Sequence, residues 1–175
     1  MDYIARCHKT LKAWGAPLEN WICIGIRDLK DEGLLSYKED GEGEMFTCEL
    51  CGCERVRFIH DMQHDEYFED VSVGCICAGT MEGDILAAQE RERILENRSK
   101  RKQNYLKKEW QVKPNGNRTL RYKKGWITII PSKYGGFGIV YHGKSVWKHK
   151  NRKINDFLTA VHVAFDLVDP KEELE

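Results

Sequence analysis

Apolar residues at Ile4, Leu11 and Trp14 fall at helical spacing and predict a short helix over residues 4–14, ended by the Gly15-Ala16-Pro17 breaker. Trp21-Ile22-Cys23-Ile24-Gly25-Ile26 is instead rich in β-branched side chains and reads as a strand. Residues 38–44 form a polar, acidic, glycine-bearing loop. The cysteine-bearing segment 45–80 that follows contains an expected hairpin, with 55–62 as the outgoing strand and 69–73 as the return. Helix formers dominate from Met81 to about Trp110 and predict one long helix, whose first half can pack through Met81, Ile85, Ala88 and Leu95. Residues 96–104 within it hold no apolar side chain, so that stretch is expected to lie in solvent or to meet something charged.

Pro114-Asn115-Gly116-Asn117 marks a turn and a domain boundary. Beyond it, Trp126-Ile127-Thr128-Ile129-Ile130 predicts a strand stopped by Pro131, residues 137–141 a second, and 145–148 a third, with 119–122 as a further edge. Ile154, Phe157, Leu158, Val161, Phe165 and Val168 then keep an i, i+3, i+4, i+7 series up to Pro170. One amphipathic helix lying on a small antiparallel meander satisfies both patterns. The expected fold class is therefore α+β: an N-terminal module over 1–95, a long basic helical connector over 96–117, and over 118–170 a three-stranded antiparallel sheet with one packed helix.

Charge changes this picture more than composition does. The formal net charge is zero, yet residues 1–90 sum to −11, residues 91–153 to +16 and residues 154–175 to −5. A basic middle of this size is the electrostatic footprint expected of a polyanion binder, unless the acidic head folds over it. No secretory apolar stretch opens the chain, and the run at 21–26 is too short to span a bilayer. The expectation is a cytoplasmic protein in a reducing compartment, with no membrane partner.

Seven cysteines are present, and five of them crowd between Cys48 and Cys77. Without a secretory signal, clustered Cys-x-x-Cys spacing points to metal rather than to disulfides. Cys48 and Cys51, followed by Gly52, can face one ion from a tight turn, and thiolates in a tetrahedron satisfy Zn²⁺ without redox chemistry. Cys75 and Cys77 are read as the second pair, with Cys53, His60 and His64 as substitutes for the fourth ligand. Four thiolates would also serve an iron–sulfur cluster. Cys7 and Cys23 are read as buried thiols.

Cys48-x-x-Cys51-Gly52, a hairpin, then Val73-Gly74-x-x-Cys77-Ala78 entering a helix resembles the treble-clef zinc fingers of many small phage and bacterial proteins, over about 48–95. That resemblance implies a knuckle carrying Cys48 and Cys51 and a later ligand, Cys77, at a helix N-terminus. Treble clefs also carry HNH-type nucleases. Arg57-Phe58-Ile59-His60, with Asp61 and His64 close by, loosely resembles the strand that delivers their general base, but no His or Asn follows at 79–84.

Arg98, Lys100, Arg101, Lys102, Lys107 and Lys108 lie on the connector, and Arg121, Lys123, Lys124 and Lys148 surround the meander with Trp126, Tyr134 and Trp147 among them. Phosphate neutralisation by such groups releases counterions. Three short strands followed by a helix bearing Ala160-x-x-x-Ala164-Phe165-Asp166 resemble the sheet-plus-helix domains of plant ethylene-response transcription factors and phage integrase arm-binding modules. The resemblance implies a sheet read into the major groove, with Arg121, Lys123, Trp126, Thr128 and Lys148 as contacts. The expected function is non-catalytic nucleic-acid binding, to duplex DNA rather than RNA, by a zinc protein. The alternatives are a degenerate HNH-like metal-dependent nuclease using His60, or an adaptor or inhibitor. The latter would turn the acidic residues Glu39, Asp40, Glu42, Glu44, Asp65, Glu66, Glu69 and Asp70 toward a basic protein partner.

Overall fold

A computed structural model describes residues 2–31 and 46–174; the acidic loop expected at 38–44 lies outside the described residues. The protein is α+β, with four helices and antiparallel sheets among the described residues, and it divides into two compact units, residues 1–97 with 173–175, and residues 98–172. The division falls inside a helix rather than at the turn over 114–117. Among the described residues no helix is long and apolar enough to cross a membrane.

The first unit opens with α1 (Tyr3–Trp14), which buries Cys7 and Leu11 and ends where Gly15 takes the left-handed conformation that a residue without a Cβ adopts freely. Strands β1 (Ile22–Asp28), β2 (Phe58–Gln63) and β3 (Val71–Val73) form an antiparallel sheet in that order. Its register sets His60 opposite Ile26 on one side and Val73 on the other. Alternation along β2 puts Phe58, His60 and Met62 on one face, all buried, while Asp61 points the opposite way. There Asp61 accepts two hydrogen bonds from Arg27, at 2.9 and 2.8 Å, and one from the Ser72 hydroxyl at 2.7 Å.

The single long helix expected from Met81 onward is two helices, α2 (Cys75–Glu82) and α3 (Ile85–Leu106). Gly83 breaks it, at φ 81°, and the Asp84 carboxylate restarts it by accepting the Ala87 N–H. The two helices meet closely: a Cβ on Gly79 would stand 2.4 Å from Ile85 Cα. Met62, Val73, Ala78, Met81 and Ala88 form the centre of this unit's core.

The second unit holds a five-stranded sheet rather than three strands. It is built from β4 (Gln111–Val112), β5 (Arg118–Tyr122), β6 (Gly125–Pro131), β7 (Phe137–Tyr141) and β8 (Lys144–Val146), paired in sequence order. Lys148 does not extend β8; it lies in β9 (Lys148–His149), paired with β10 (Arg152–Lys153) as a separate hairpin. The helix α4 (Phe157–Val168) covers one face, where Leu120, Ile127, Ile129 and Ile139 pack against Val161, Ala164 and Phe165. It starts later than the apolar period suggests. Asp156 caps it by accepting the Thr159 N–H at 2.8 Å, and Ile154, although in phase with the helix, is a buried residue outside it.

Candidate functional site

The knuckle forms because Gly52 adopts φ 72° and closes a tight turn, its N–H bonding the Cys48 carbonyl at 2.8 Å while the Cys48 N–H bonds the Cys53 carbonyl at 2.8 Å. Reciprocal bonds between Glu49 and Ser72 fasten this turn to β3: the Glu49 N–H reaches the Ser72 carbonyl at 3.2 Å, and the Glu49 carboxylate accepts the Ser72 N–H. The result is a cluster of three sulfur atoms, Cys48, Cys51 and Cys77, all within 4.8 Å of one another, which could hold a metal ion. Cys48 and Cys77 are buried with their sulfurs 3.5 Å apart, and Cys51 is exposed.

The Cys48 sulfur accepts the Gly74 N–H at 3.4 Å and shares a hydrogen bond with the Cys77 sulfur at 3.5 Å. That bond, against the effect of burial and with help from backbone N–H groups, pulls Cys48 down to about 5, while the same pairing and burial push Cys77 up. A second face of the cluster is closed by α1, where the Tyr3 hydroxyl lies 2.9 Å from the Cys77 sulfur and Cys7 is buried on the same helix. Burial pushes the Cys7 thiol up.

Cys75 does not join this group. It and Cys77 are the first and third residues of α2, and at about 100° per residue their side chains leave the axis about 200° apart. Cys75 instead lies with His60 of β2 and Glu92 of α3, in a second group whose ligand atoms all fall within 4.8 Å and which could also hold a metal ion. Of the other substitutes, Cys53 is exposed at the end of the knuckle, and His64 packs its ring 5.5 Å from that of Trp21 while its Nδ1 accepts the Glu66 N–H. Glu92 carries no spacing signal in the sequence. Cys7 and Tyr3 sit a helix away from the cysteine segment, and only the surplus of cysteines hinted at the former.

The basic residues separate into two classes. Arg98 is buried at 4 % exposure: its Nη2 donates to Asp166 at 2.7 Å, its Nε donates to the Asp169 carbonyl at 2.9 Å, and its guanidinium lies 5.0 Å over the Phe165 ring. Arg101 donates two bonds to the Asp169 carboxylate, at 2.6 and 3.0 Å, and Lys123 Nζ stands 3.4 Å from the same group. These three cations hold the C-terminal end of α4, Arg98 from a buried position and Arg101 and Lys123 from the surface. Lys102 lies 5.9 Å from the Phe165 ring, Lys100 is exposed, and Lys107 and Lys108 are exposed just beyond the end of α3.

On the sheet, Arg121, Trp126 and Thr128 share the face turned away from α4. Arg121 lies opposite Trp126 in the register, and Thr119, Thr128, Val140 and Ser145 form one cross-strand row. Trp126 is 53 % and Trp147 44 % exposed, the latter lying across Gly138, where any Cβ would meet its ring at 2.5 Å. Lys124 is exposed in the β5–β6 turn, and Lys148 is exposed beside Trp147 in sequence. Two cysteine-centred groups able to bind metal and an aromatic, cationic sheet face are thus what the molecule offers. No family model, no curated protein and no solved structure matches this chain.

Proposed function

We propose that this is a zinc-braced protein that binds duplex DNA through the open face of its second sheet, without catalysing a reaction on it. The observation that carries the reading is that face itself. Arg121 and Trp126 sit side by side across a strand pair, Thr128 lies two residue pairs on, and a second indole, Trp147, lies exposed on the same side. Exposed tryptophans on a sheet whose other face is already covered by α4 have no core to join, and a guanidinium beside them suits base edges and phosphates. Lys107, Lys108, Lys124 and Lys148 are exposed cations available to phosphates, whereas Arg98, Arg101 and Lys123 are engaged by Asp166 and Asp169.

In the first unit the zinc ion belongs to Cys48, Cys51 and Cys77. Three sulfurs, one of them receiving the Gly74 N–H, make the soft, tightly closed donor set that structural zinc takes. The α1 side of the cluster is where Tyr3 approaches, its hydroxyl 2.9 Å from the Cys77 sulfur. Such an ion would tie the knuckle and α2 together and contribute folding free energy directly.

The test is a salt titration of binding to a short duplex, a single strand and an RNA hairpin. The duplex is expected to bind best, with a log–log slope of several units, and Arg121→Ala is expected to weaken it by about 1–3 kcal/mol. No duplex binding at low salt, or equal binding by Trp126→Ala and Arg121→Ala variants, overturns the assignment. Preference for the single strand would convert the face into a stacking platform.

A further inference from the structure

The first unit contains a buried polar atom that its protein neighbours leave unanswered. His60 is fully buried, yet its Nε2 makes no hydrogen bond. The nearest charged atom is the Glu92 carboxylate oxygen at 3.7 Å, too long for a hydrogen bond. Its other nitrogen, Nδ1, faces the Cys23 sulfur at 4.0 Å, which orients the ring so that Nε2 points between β2 and α3. At that point the Cys75 thiol, from the first position of α2, and the Glu92 carboxylate converge on it. An imidazole, a thiol and a carboxylate from three different elements therefore surround one small space.

We propose that His60 Nε2, Cys75 Sγ and a Glu92 carboxylate oxygen hold a second zinc ion, with its fourth place open to solvent. A nitrogen and an oxygen bound to tetrahedral zinc stand about 3.3–3.5 Å apart, and the His60–Glu92 separation of 3.7 Å closes to that with a small side-chain shift. The mixed nitrogen, sulfur and oxygen set suits zinc, since Mg²⁺ and Ca²⁺ take oxygen ligands only. Three protein ligands with one place free is the open arrangement of zinc, in contrast to the closed sulfur cluster at Cys48, Cys51 and Cys77. Cys75 and Glu92 lie on the wall of a cavity of about 330 Å³, together with Arg55 and the first sulfur group, and the free place is assigned to that side. The ion also explains why Cys75 departs from Cys77 at the start of α2 and why an imidazole is buried without a partner. The inference does not depend on DNA binding.

The experiment measures zinc per chain in the full-length protein loaded with Zn²⁺ and freed of excess. Two equivalents are expected. Glu92→Ala, a change at a one-third-exposed carboxylate, and Cys75→Ser are each expected to retain one equivalent with unchanged circular dichroism. Cobalt substitution provides the second readout: Cys75→Ser should remove only a minor part of the thiolate-to-cobalt absorption, since the sulfur cluster keeps its own. A single equivalent in the parent protein that Glu92→Ala leaves in place overturns the proposal. So does a single equivalent that Cys75→Ser abolishes, which would return Cys75 to the sulfur cluster. Cys48→Ser examines the other site separately: if it leaves zinc content unchanged, the sulfur cluster is refuted while the Glu92 result still decides this one.

Discussion

Replacing Arg98 with methionine separates two roles that the same residue could have. A methionine keeps most of the apolar stem and removes the guanidinium. The bond to Asp166 is charge-assisted and is worth about 1.5–3 kcal/mol. The Asp169 carbonyl, at the end of α4, loses its buried donor, an orphaning that costs about 1–3 kcal/mol. The contact over the Phe165 ring adds about 0.5–1 kcal/mol. Asp166 is nearly half exposed and rehydrates readily, which lowers the first contribution. A net loss of about 3 kcal/mol follows, or a midpoint shift of about 1.5 M urea at a slope near 2 kcal/mol/M. Urea unfolding followed by circular dichroism gives this directly, and amide exchange in α4 should show where the loss lies. Had Arg98 been a phosphate contact on a solvated helix, the variant would unfold like the parent and its DNA-binding salt slope would fall by about one. A stability change below about 0.5 kcal/mol together with that loss of slope refutes the structural account of Arg98.

The other expectations concern metal, acid and backbone. Cys51 is exposed and should alkylate slowly in zinc-loaded protein and rapidly after chelation; equal rates would remove it from the ligand set. Asp61 and Asp169 are both held below the usual carboxylate range: burial pushes each up, but Arg27 and Ser72 on one and Arg101 and Lys123 on the other outweigh it. With folded values depressed, their stabilisation is present above the unfolded value of about 3.9 and is lost as pH falls through the folded values. Urea midpoints should therefore drop below about pH 4, less steeply in Asp61→Asn and Asp169→Asn, and an equal drop in parent and variants would exclude these two groups as the cause. Gly79→Ala brings a Cβ to 2.4 Å from Ile85 Cα and is expected to cost about 1–3 kcal/mol or more, because backbone must move; an unchanged melting temperature contradicts the close approach of α2 and α3.

Much of the architecture was legible because it is locally encoded. Gly15 marks a helix end with backbone chemistry that any sequence displays, and the patterns in 126–130 and 137–141 fix two strands, whereas the cap at Asp156 goes unread and the helix is expected from Ile154. Gly83 carries the same kind of signal as Gly15, and the expectation of one helix passes it over. Cys48, Cys51 and Cys77 were likewise visible in their spacing. The site failed to be legible where an angle or a distant partner decides. Cys75 lies two residues from Cys77, and only knowing that α2 begins at Cys75 shows that the two diverge. The charged stretch 96–104 reads as solvated, yet Arg98 is buried because Asp166 and Asp169, some 70 positions on, supply its partners. Glu92 is one carboxylate among many on a charged helix, and nothing near it in sequence singles it out.

The first turn of α2 has a consequence for how the two metal groups behave together. Cys75 and Cys77 project from opposite sides of that turn, one toward each group, so the same few backbone torsions position a ligand for both. An ion at either group would fix those torsions, and the second ion would then bind a turn already ordered. Binding free energies linked in this way are reciprocal: whatever factor the first ion contributes to the second, the second contributes to the first. The metal titration would then be steeper than two independent sites allow, and half-loaded chains would be scarce.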